Sequence, residues 1–226
     1  YAANLTEINP ESPVGPESGP YTGSKIAADA VAVAHQNAGQ PVVIVCPGGI
    51  LGPLDPSPGL SDSMAAISDW IKLRFVPMPQ SIRFSFVDVR DVAAVCVGSL
   101  TDGAAPVRHL LAGHIHGMAE ILNMVSRLTG QKVRVPGSPL WTITFGGALC
   151  DLVVRATGKK MPLTRETAYL TVTNARAGGL QSVDQRSATQ AFGFPFRPIT
   201  ETLVDTIRWL HSTGHLTDKQ AGILSI

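Results

Sequence analysis

The stretch PVVIVCPGGI, residues 41–50, decides the architecture. Val42 to Cys46 form a β-branched run bounded by Pro41 and Pro47. Such a short, continuous apolar run reads as a strand buried on both faces, hence as part of a parallel sheet. Just upstream, Ile26, Ala27, Ala30, Val31 and Ala34 recur at helical spacing. They predict a helix with Ser18 or Gly19 as its cap, Pro20 in its first turn and Gly39 as its stop. Residues Tyr1 to Pro20, with four prolines and several Gly, Ser and Asn, read as a loop.

Downstream, the residues from Gly48 to Gly59 read as a Pro- and Gly-rich loop, followed by a helical segment around Met64 to Leu73 and an irregular stretch to Gln80. The segment RFSFVDVRDVAAVCVGSL alternates briefly and then switches to helical period. Asp88 can cap a helix over Val89 to Leu100, with Asp91 placed three positions later as in a capping box. Val107 to Ala112 reads as a strand, and Met118 to Leu128 as an amphipathic helix ending at Gly130. Helical patterns follow near Leu140 to Ala156, Arg165 to Thr171, Gln185 to Phe192 and Thr200 to His211. Strands and helices alternate first and helices dominate later, which makes the class α/β with a more helical C-terminal portion.

The 226 residues include 44% hydrophobic and 15% charged side chains, enough apolar material to build a core. With 18 Lys+Arg against 17 Asp+Glu and no basic stripe, nucleic acid is not an expected partner. Cys46, Cys96 and Cys150 lie far apart in apolar runs without a CxxC pair, a pattern that fits a reducing cytoplasm and neither zinc nor redox work. The longest apolar stretch, Leu140 to Val154, is too short to span a bilayer and is interrupted by Asp151. Its default reading is a packed core helix, with a substrate lid or a membrane-surface helix as alternatives. The N-terminus has neither the basic start nor the apolar core of a signal peptide.

The most informative chemistry lies in PYTGSKIAADAVAVA, residues 20–34. Tyr21 and Lys25 stand four apart at the start of the first helix, which makes phenol and ammonium neighbours on one face. A free phenol titrates near ~10, and a nearby cation favours its ionised form. A phenol so tuned can exchange a proton with a substrate oxygen while hydride moves, as carbonyl/alcohol redox chemistry requires. The bland alternative is an accidental exposed pair, disfavoured in a chain with 3 Tyr. Asp88 and Asp91 are read as helix-capping groups rather than a hydrolytic carboxylate pair. His114 and His116 flank one residue in a loop, while His211 and His215 have helical spacing interrupted by Gly214. Neither pair lies near a carboxylate or Cys cluster in sequence, so no metal site is expected. No Gly-x-Ser-x-Gly elbow is present.

Four stretches together resemble the extended short-chain dehydrogenase/reductase family, which includes NAD-dependent epimerase/dehydratases and the relatives of dihydroflavonol reductase and 3β-hydroxysteroid dehydrogenase. They are YTGSK at 21–25, VVIVCPGGILGPLDP at 42–56, FVDVRDVA at 86–93 and QRSATQAFGFPFRPITETLVDTIRWL at 185–210, in the family's order. The resemblance implies an incomplete Rossmann-like doubly wound parallel sheet with a smaller, mainly helical substrate-binding portion. Residues 1–135 would form the C-terminal part of the NAD(P)-binding domain, with a substrate-domain insertion near 54–82, and residues 136–226 the helical portion. It further implies Tyr21 as catalytic acid/base, Lys25 as the group that binds the nicotinamide ribose and tunes the phenol, and the Pro47-Gly48-Gly49-Ile50 backbone as lining for the nicotinamide of NAD or NADP.

Two departures concern the same end of the chain. No G-x-G-x-x-G or G-x-x-G-x-x-G turn occurs, and GGILG at 48–52 leads into a Pro-rich loop rather than a helix that would hold a pyrophosphate. The family's catalytic Ser or Thr falls upstream of Tyr1, and Thr6, Ser12 and Ser18 lie too close to Tyr21 to replace it. The expectation is therefore the C-terminal portion of a longer enzyme, poorly stable and weakly active as an isolated segment because its parallel strand keeps an open edge. The expected reaction interconverts hydroxyl and ketone on a small, lipophilic substrate held by Trp141, Phe145, Leu149 and Leu152. A nucleotide-sugar epimerase or dehydratase, with Arg74, Arg83 and Arg134 for a diphosphate, and a non-catalytic NAD(P)-sensing module are the alternatives. A homodimer is compatible with the resemblance.

Overall fold

A computed structural model describes residues 4–5, 19–55, 59–100, 106–158, 163–176, 178–193 and 195–225. The central helix–strand pair has the predicted order. Helix α1, Pro20–Asn37, leads into β2, Val43–Pro47, after a short strand β1, Asn4–Leu5. The β2 strand runs parallel to β5, Val107–Leu111, in the register Val43↔Val107 to Pro47↔Leu111. A second sheet joins β3, Gly49–Leu51, in parallel to β4, Arg83–Asp88, and β4 antiparallel to β6, His114–Gly117. The β1 strand pairs in parallel with β7, Ser182–Val183. The class is α/β with parallel strands, as the alternating pattern predicts.

The main core lies between β3–β4 and three helices. These are α2, Asp62–Leu73, α4, Met118–Thr129, and α8, Ile199–Ser212. Met64, Ile67 and Ile71 of α2 meet Ile121, Leu122 and Val125 of α4 and Leu203, Ile207 and Leu210 of α8 in one buried cluster. The α2 and α8 sets step by three or four residues and the α4 set places Val125 three and four positions after Leu122 and Ile121, so each helix turns one apolar stripe inward. A smaller cluster of Val87, Val95, Leu111 and Ala188 joins β4 and β5 to α3, Val89–Gly98, and α7, Arg186–Phe192. The α4 helix stops at Gly130, whose φ of 69° is left-handed and suits a residue without Cβ.

Several expectations need correction. Val43 to Cys46 are half-buried rather than buried on both faces, and Pro47 is exposed. Among the described residues β2 pairs on one edge only, with β5, and α1 buries just Thr22, so neither helix nor second strand completes its cover. The loop expected from Gly48 to Gly59 contains strand β3, because Gly48 and Gly49 let the backbone lie closely against β4. A Cβ on Gly48 would meet the Ser85 hydroxyl and stand 3.0 Å from its carbonyl oxygen, and one on Gly49 would meet Phe86 Cδ1 at 3.2 Å.

His114 and His116 belong to strand β6, not to a loop, because the β4 edge supplies the pairing that their polar sequence does not advertise. Helix α5, Trp141–Thr157, forms as predicted but is no core helix: only Gly147 is buried, while Trp141, Phe145, Leu149 and Leu152 are exposed. Its partner is α6, Arg165–Arg176, which meets it along the Gly147 face. A four-residue helix α9, Asp218–Ala221, was not predicted, although Thr217 and Gln220 form a capping box at its start.

Candidate active site

The first turn of α1 brings two of the predicted site residues together. Pro20 occupies the first helical position, where its lack of an N–H costs nothing, and Gly19 caps without a side chain. The Lys25 ammonium lies 5.6 Å from the centroid of the Tyr21 ring, a cation–π arrangement on one helix face. Asp29, one turn further on, is engaged by Arg108 at 2.7 Å, which leaves the Lys25 ammonium facing the phenol side chain. The Tyr21 side chain is 61% exposed, open to a ligand rather than packed into the core.

The donors at the start of α1 are satisfied from far away in sequence. Glu166, in the first turn of α6, accepts from the Thr22 N–H at 2.8 Å, the Thr22 hydroxyl at 2.8 Å and the Tyr21 N–H at 3.3 Å. Burial works against its charge, but these hydrogen bonds outweigh it and hold the carboxyl below its ordinary range. No local signal marks Glu166 as a site residue, since its partners lie 144 and 145 positions away.

Pro47, Gly48, Gly49 and Ile50 lie on a different element, the β2–β3 link, where the Gly48 N–H donates to the Leu111 carbonyl at 3.0 Å. Both glycines are required by the approach to β4. Thr6, Ser12 and Ser18 lie outside the described residues.

Asp88 is the architectural group expected: it caps α3 by accepting from the Arg90 N–H at 2.8 Å. Asp91 differs from its predicted role in a capping box. It accepts from the Arg197 N–H at 2.7 Å and pairs with the Arg197 guanidinium, a long-range tie invisible to local spacing. The histidines have structural partners. His114 Nε2 donates to the Arg197 carbonyl at 2.9 Å, His116 meets Glu120 at 3.1 Å, His211 meets Asp218 at 2.7 Å, and His215 stacks on Trp209. Among the described residues no group of three or more His, Cys, Asp and Glu could hold a metal ion. Of the arginines considered for a diphosphate, Arg74 donates to Gln131 at 2.7 Å and Arg83 to the Leu180 carbonyl at 3.3 Å, while Arg134 pairs through its backbone with Phe75. Among the described residues Cys46, Cys96 and Cys150 form no disulfide, the Cys46 sulfur accepts from the Arg108 guanidinium at 3.6 Å, and no helix is long and apolar enough to cross a membrane.

No protein-family model matches the chain. A curated protein named "Putative dihydroflavonol 4-reductase", from Synechocystis sp., is 26% identical over 214 residues, covering 91% of this chain and 59% of its own length. Yeast methylglyoxal/isovaleraldehyde reductase Gre2, solved with NADPH, superposes with a TM-score of 0.57 at 18% identity, over 94% of this chain and 58% of that one. MoeE5, solved with UDP-glucose and NAD, superposes with a TM-score of 0.60 at 19% identity, over 92% of this chain and 60% of that one. The chain thus spans about three fifths of the length of these relatives. The resemblance read from YTGSK and the strands that follow is borne out: the chain is similar to a curated protein named as a dihydroflavonol 4-reductase and shares its fold with solved structures of a reductase and a nucleoside-diphosphate-sugar epimerase.

Proposed function

We propose that the chain is the catalytic and substrate-binding part of an NAD(P)-dependent oxidoreductase that interconverts a hydroxyl and a ketone on a small, lipophilic substrate. One observation carries the reading: the Lys25 ammonium sits 5.6 Å from the Tyr21 ring on an exposed helix face. The pair fits the ribose end of a nicotinamide nucleotide, because Lys25 offers three N–H donors to a diol and among the described residues no carboxylate forms an ion pair with it. The bound nicotinamide supplies the hydride chemistry. In reduction, Tyr21 Oη gives its proton to the substrate oxygen as that oxygen gains charge, and the Lys25 ammonium stabilises the phenolate left behind; oxidation reverses both events. The Pro47–Ile50 backbone is assigned to the nicotinamide side, and a homodimer is compatible with the reading.

The lipophilic substrate class is supported by the uncovered stripe of Trp141, Phe145, Leu149 and Leu152 on α5, whose partner α6 reaches the Tyr21 helix through Glu166. A nucleotide-sugar epimerase is the second reading, favoured by the likeness to MoeE5, which was solved with UDP-glucose. Against it, Arg74 and Arg83 already serve protein acceptors.

The test compares the complete protein with its Tyr21→Phe variant, using NADH or NADPH with methylglyoxal, isovaleraldehyde and a dihydroflavonol, and NAD+ with UDP-glucose. The variant is expected to lose turnover by about 10²-fold or more, with cofactor affinity kept within about threefold. Equal turnover by parent and variant would remove Tyr21 from the chemistry. Conversion by the parent of UDP-glucose and of no other member of the panel would select the epimerase reading.

A further inference from the structure

Gly19 leaves α1 without a side-chain cap, and Pro20 has no N–H, so the first donors that need a partner are the backbone N–H groups of Tyr21 and Thr22. Both go to Glu166, which also accepts the Thr22 hydroxyl. Thr22 is the buried residue of α1, so the helix is most tightly held at this contact. The fit leaves no spare room, since a Cβ on Gly19 would fall on the Glu166 carboxyl and stand 2.6 Å from its Cγ. Gly19 also has a φ of 153°, which a side chain would strain. A carboxylate is the suitable partner electrostatically, because the N-terminus of an 18-residue helix carries partial positive charge.

Glu166 does not move alone. A Cβ on Gly147 of α5 would stand 2.7 Å from the Ala168 Cβ of α6, so the two helices pack closely there. The Arg165 N–H donates to Asp151 Oδ1 at 3.2 Å, a second tie across the same hairpin. The carboxylate therefore fastens the whole α5–α6 hairpin, with its uncovered apolar stripe, to the turn that carries Tyr21.

We propose that Glu166 is a positioning residue: one carboxylate that docks the α5–α6 hairpin on the N-terminus of α1 and sets the placement of Tyr21 and Lys25. The catalytic consequence rests on the oxidoreductase reading; the docking itself does not. Glu166 touches backbone and Thr22, not reacting atoms, and acts through the helix turn. Its effect is large because a misplacement of about 1 Å at a reacting group costs about 10²-fold in rate.

The experiment uses the complete protein and its Glu166→Ala, Glu166→Gln and Thr22→Val variants, with amide hydrogen exchange and NADPH titration by nicotinamide fluorescence. Glu166→Ala is expected to speed exchange at Tyr21 and Thr22 about tenfold or more while leaving Val43 to Cys46 unchanged, the mark of local rather than global opening. Thr22→Val, which keeps the backbone bond and drops the hydroxyl, is expected to give a smaller increase of about threefold. NADPH affinity is expected to fall about tenfold in Glu166→Ala and to recover to within about threefold in Glu166→Gln, whose amide oxygen can still accept from Thr22. Unchanged exchange at Tyr21 and Thr22 in Glu166→Ala would overturn the docking. Faster exchange with unchanged NADPH affinity would overturn the positioning role. Failure of the parent protein to bind either NADH or NADPH would sink the oxidoreductase reading and the positioning role together, while the exchange data still decide the docking.

Discussion

The hydroxyl of Thr202 donates to Asp88 Oδ2 at 2.9 Å, joining helix α8 to the end of strand β4 across 114 residues. Asp88 is 2% exposed and also receives the Arg90 guanidinium at 2.9 and 2.7 Å. Arg90 in turn reaches Asp205 of α8 at 2.8 Å. Burial alone would raise the Asp88 carboxyl, but hydrogen bonds from the Arg90 side chain and backbone and from Thr202 together hold it below its ordinary range. Removing the hydroxyl leaves a buried carboxylate one donor short. Thr202→Val is expected to cost about 1–2 kcal/mol, a fall in Tm of roughly 2–8 °C for a domain of this size, measured by thermal unfolding of the complete protein.

The same carboxyls set an acid limit. Asp88 and Glu166 both titrate below their ordinary range in the folded state. A depressed folded value means that their stabilisation is fully present above the unfolded carboxyl range and is lost as pH falls through the folded value. Stability is therefore expected to decline below about pH 4, and Asp88→Asn to flatten that decline while lowering Tm at neutral pH. A decline of equal slope in the variant would show that other groups control acid unfolding.

Lys25→Met keeps much of the side chain's length and removes its charge. In the complete protein it is expected to weaken NADPH binding about tenfold and to lower kcat/KM by about 10²-fold, because the substitution removes the donors that the proposed function assigns to the ribose and the cation beside the phenol. Fluorescence titration and steady-state kinetics read the two effects separately. Normal values of both would exclude Lys25 from the site.

Gly48 provides a test of packing between the β2–β3 link and β4. Gly48→Ala would press a methyl group on Ser85 and is expected to destabilise by about 1–3 kcal/mol. Gly137→Ala is the control, because nothing lies within 4 Å of its new Cβ. Equal Tm values for the two variants would show that β3 can move away from β4 at little cost.

The α5 stripe and the α8 stripe contain similar residues with different duties. Phe145→Ser, at a position 63% exposed, is expected to change stability by no more than about 0.5 kcal/mol. Leu203→Ala, at a position with no exposure, is expected to cost about 2–5 kcal/mol. Denaturant unfolding of both variants measures the contrast, and a large loss from Phe145→Ser would mean that the stripe is covered in the complete protein.

Local physics made much of this protein legible. Helical spacing and punctuation located α1, α2, α4, α5 and α8 within a few residues, because the Pro20 start and Gly130 stop act through the backbone torsions of their own neighbourhood. The Tyr21–Lys25 pairing was equally readable, since four positions on a helix make neighbours in any surroundings. The Asp88 cap followed for the same reason.

Burial and long-range partnership were not readable in this way. Val43 to Cys46 and the α5 stripe are as apolar as many core segments, yet their exposure depends on what lies beside them, which no window of sequence contains. The β3 and β6 strands exist because β4 offers hydrogen-bonding edges, and Gly48 and Gly49 permit the approach on one side. Asp91 meeting Arg197 and Glu166 closing the start of α1 join residues more than a hundred positions apart. Short-range sterics and hydrogen bonding chose the elements and made Tyr21 and Lys25 neighbours; only the folding of distant segments onto one another chose which faces are covered and which carboxylate meets the start of α1.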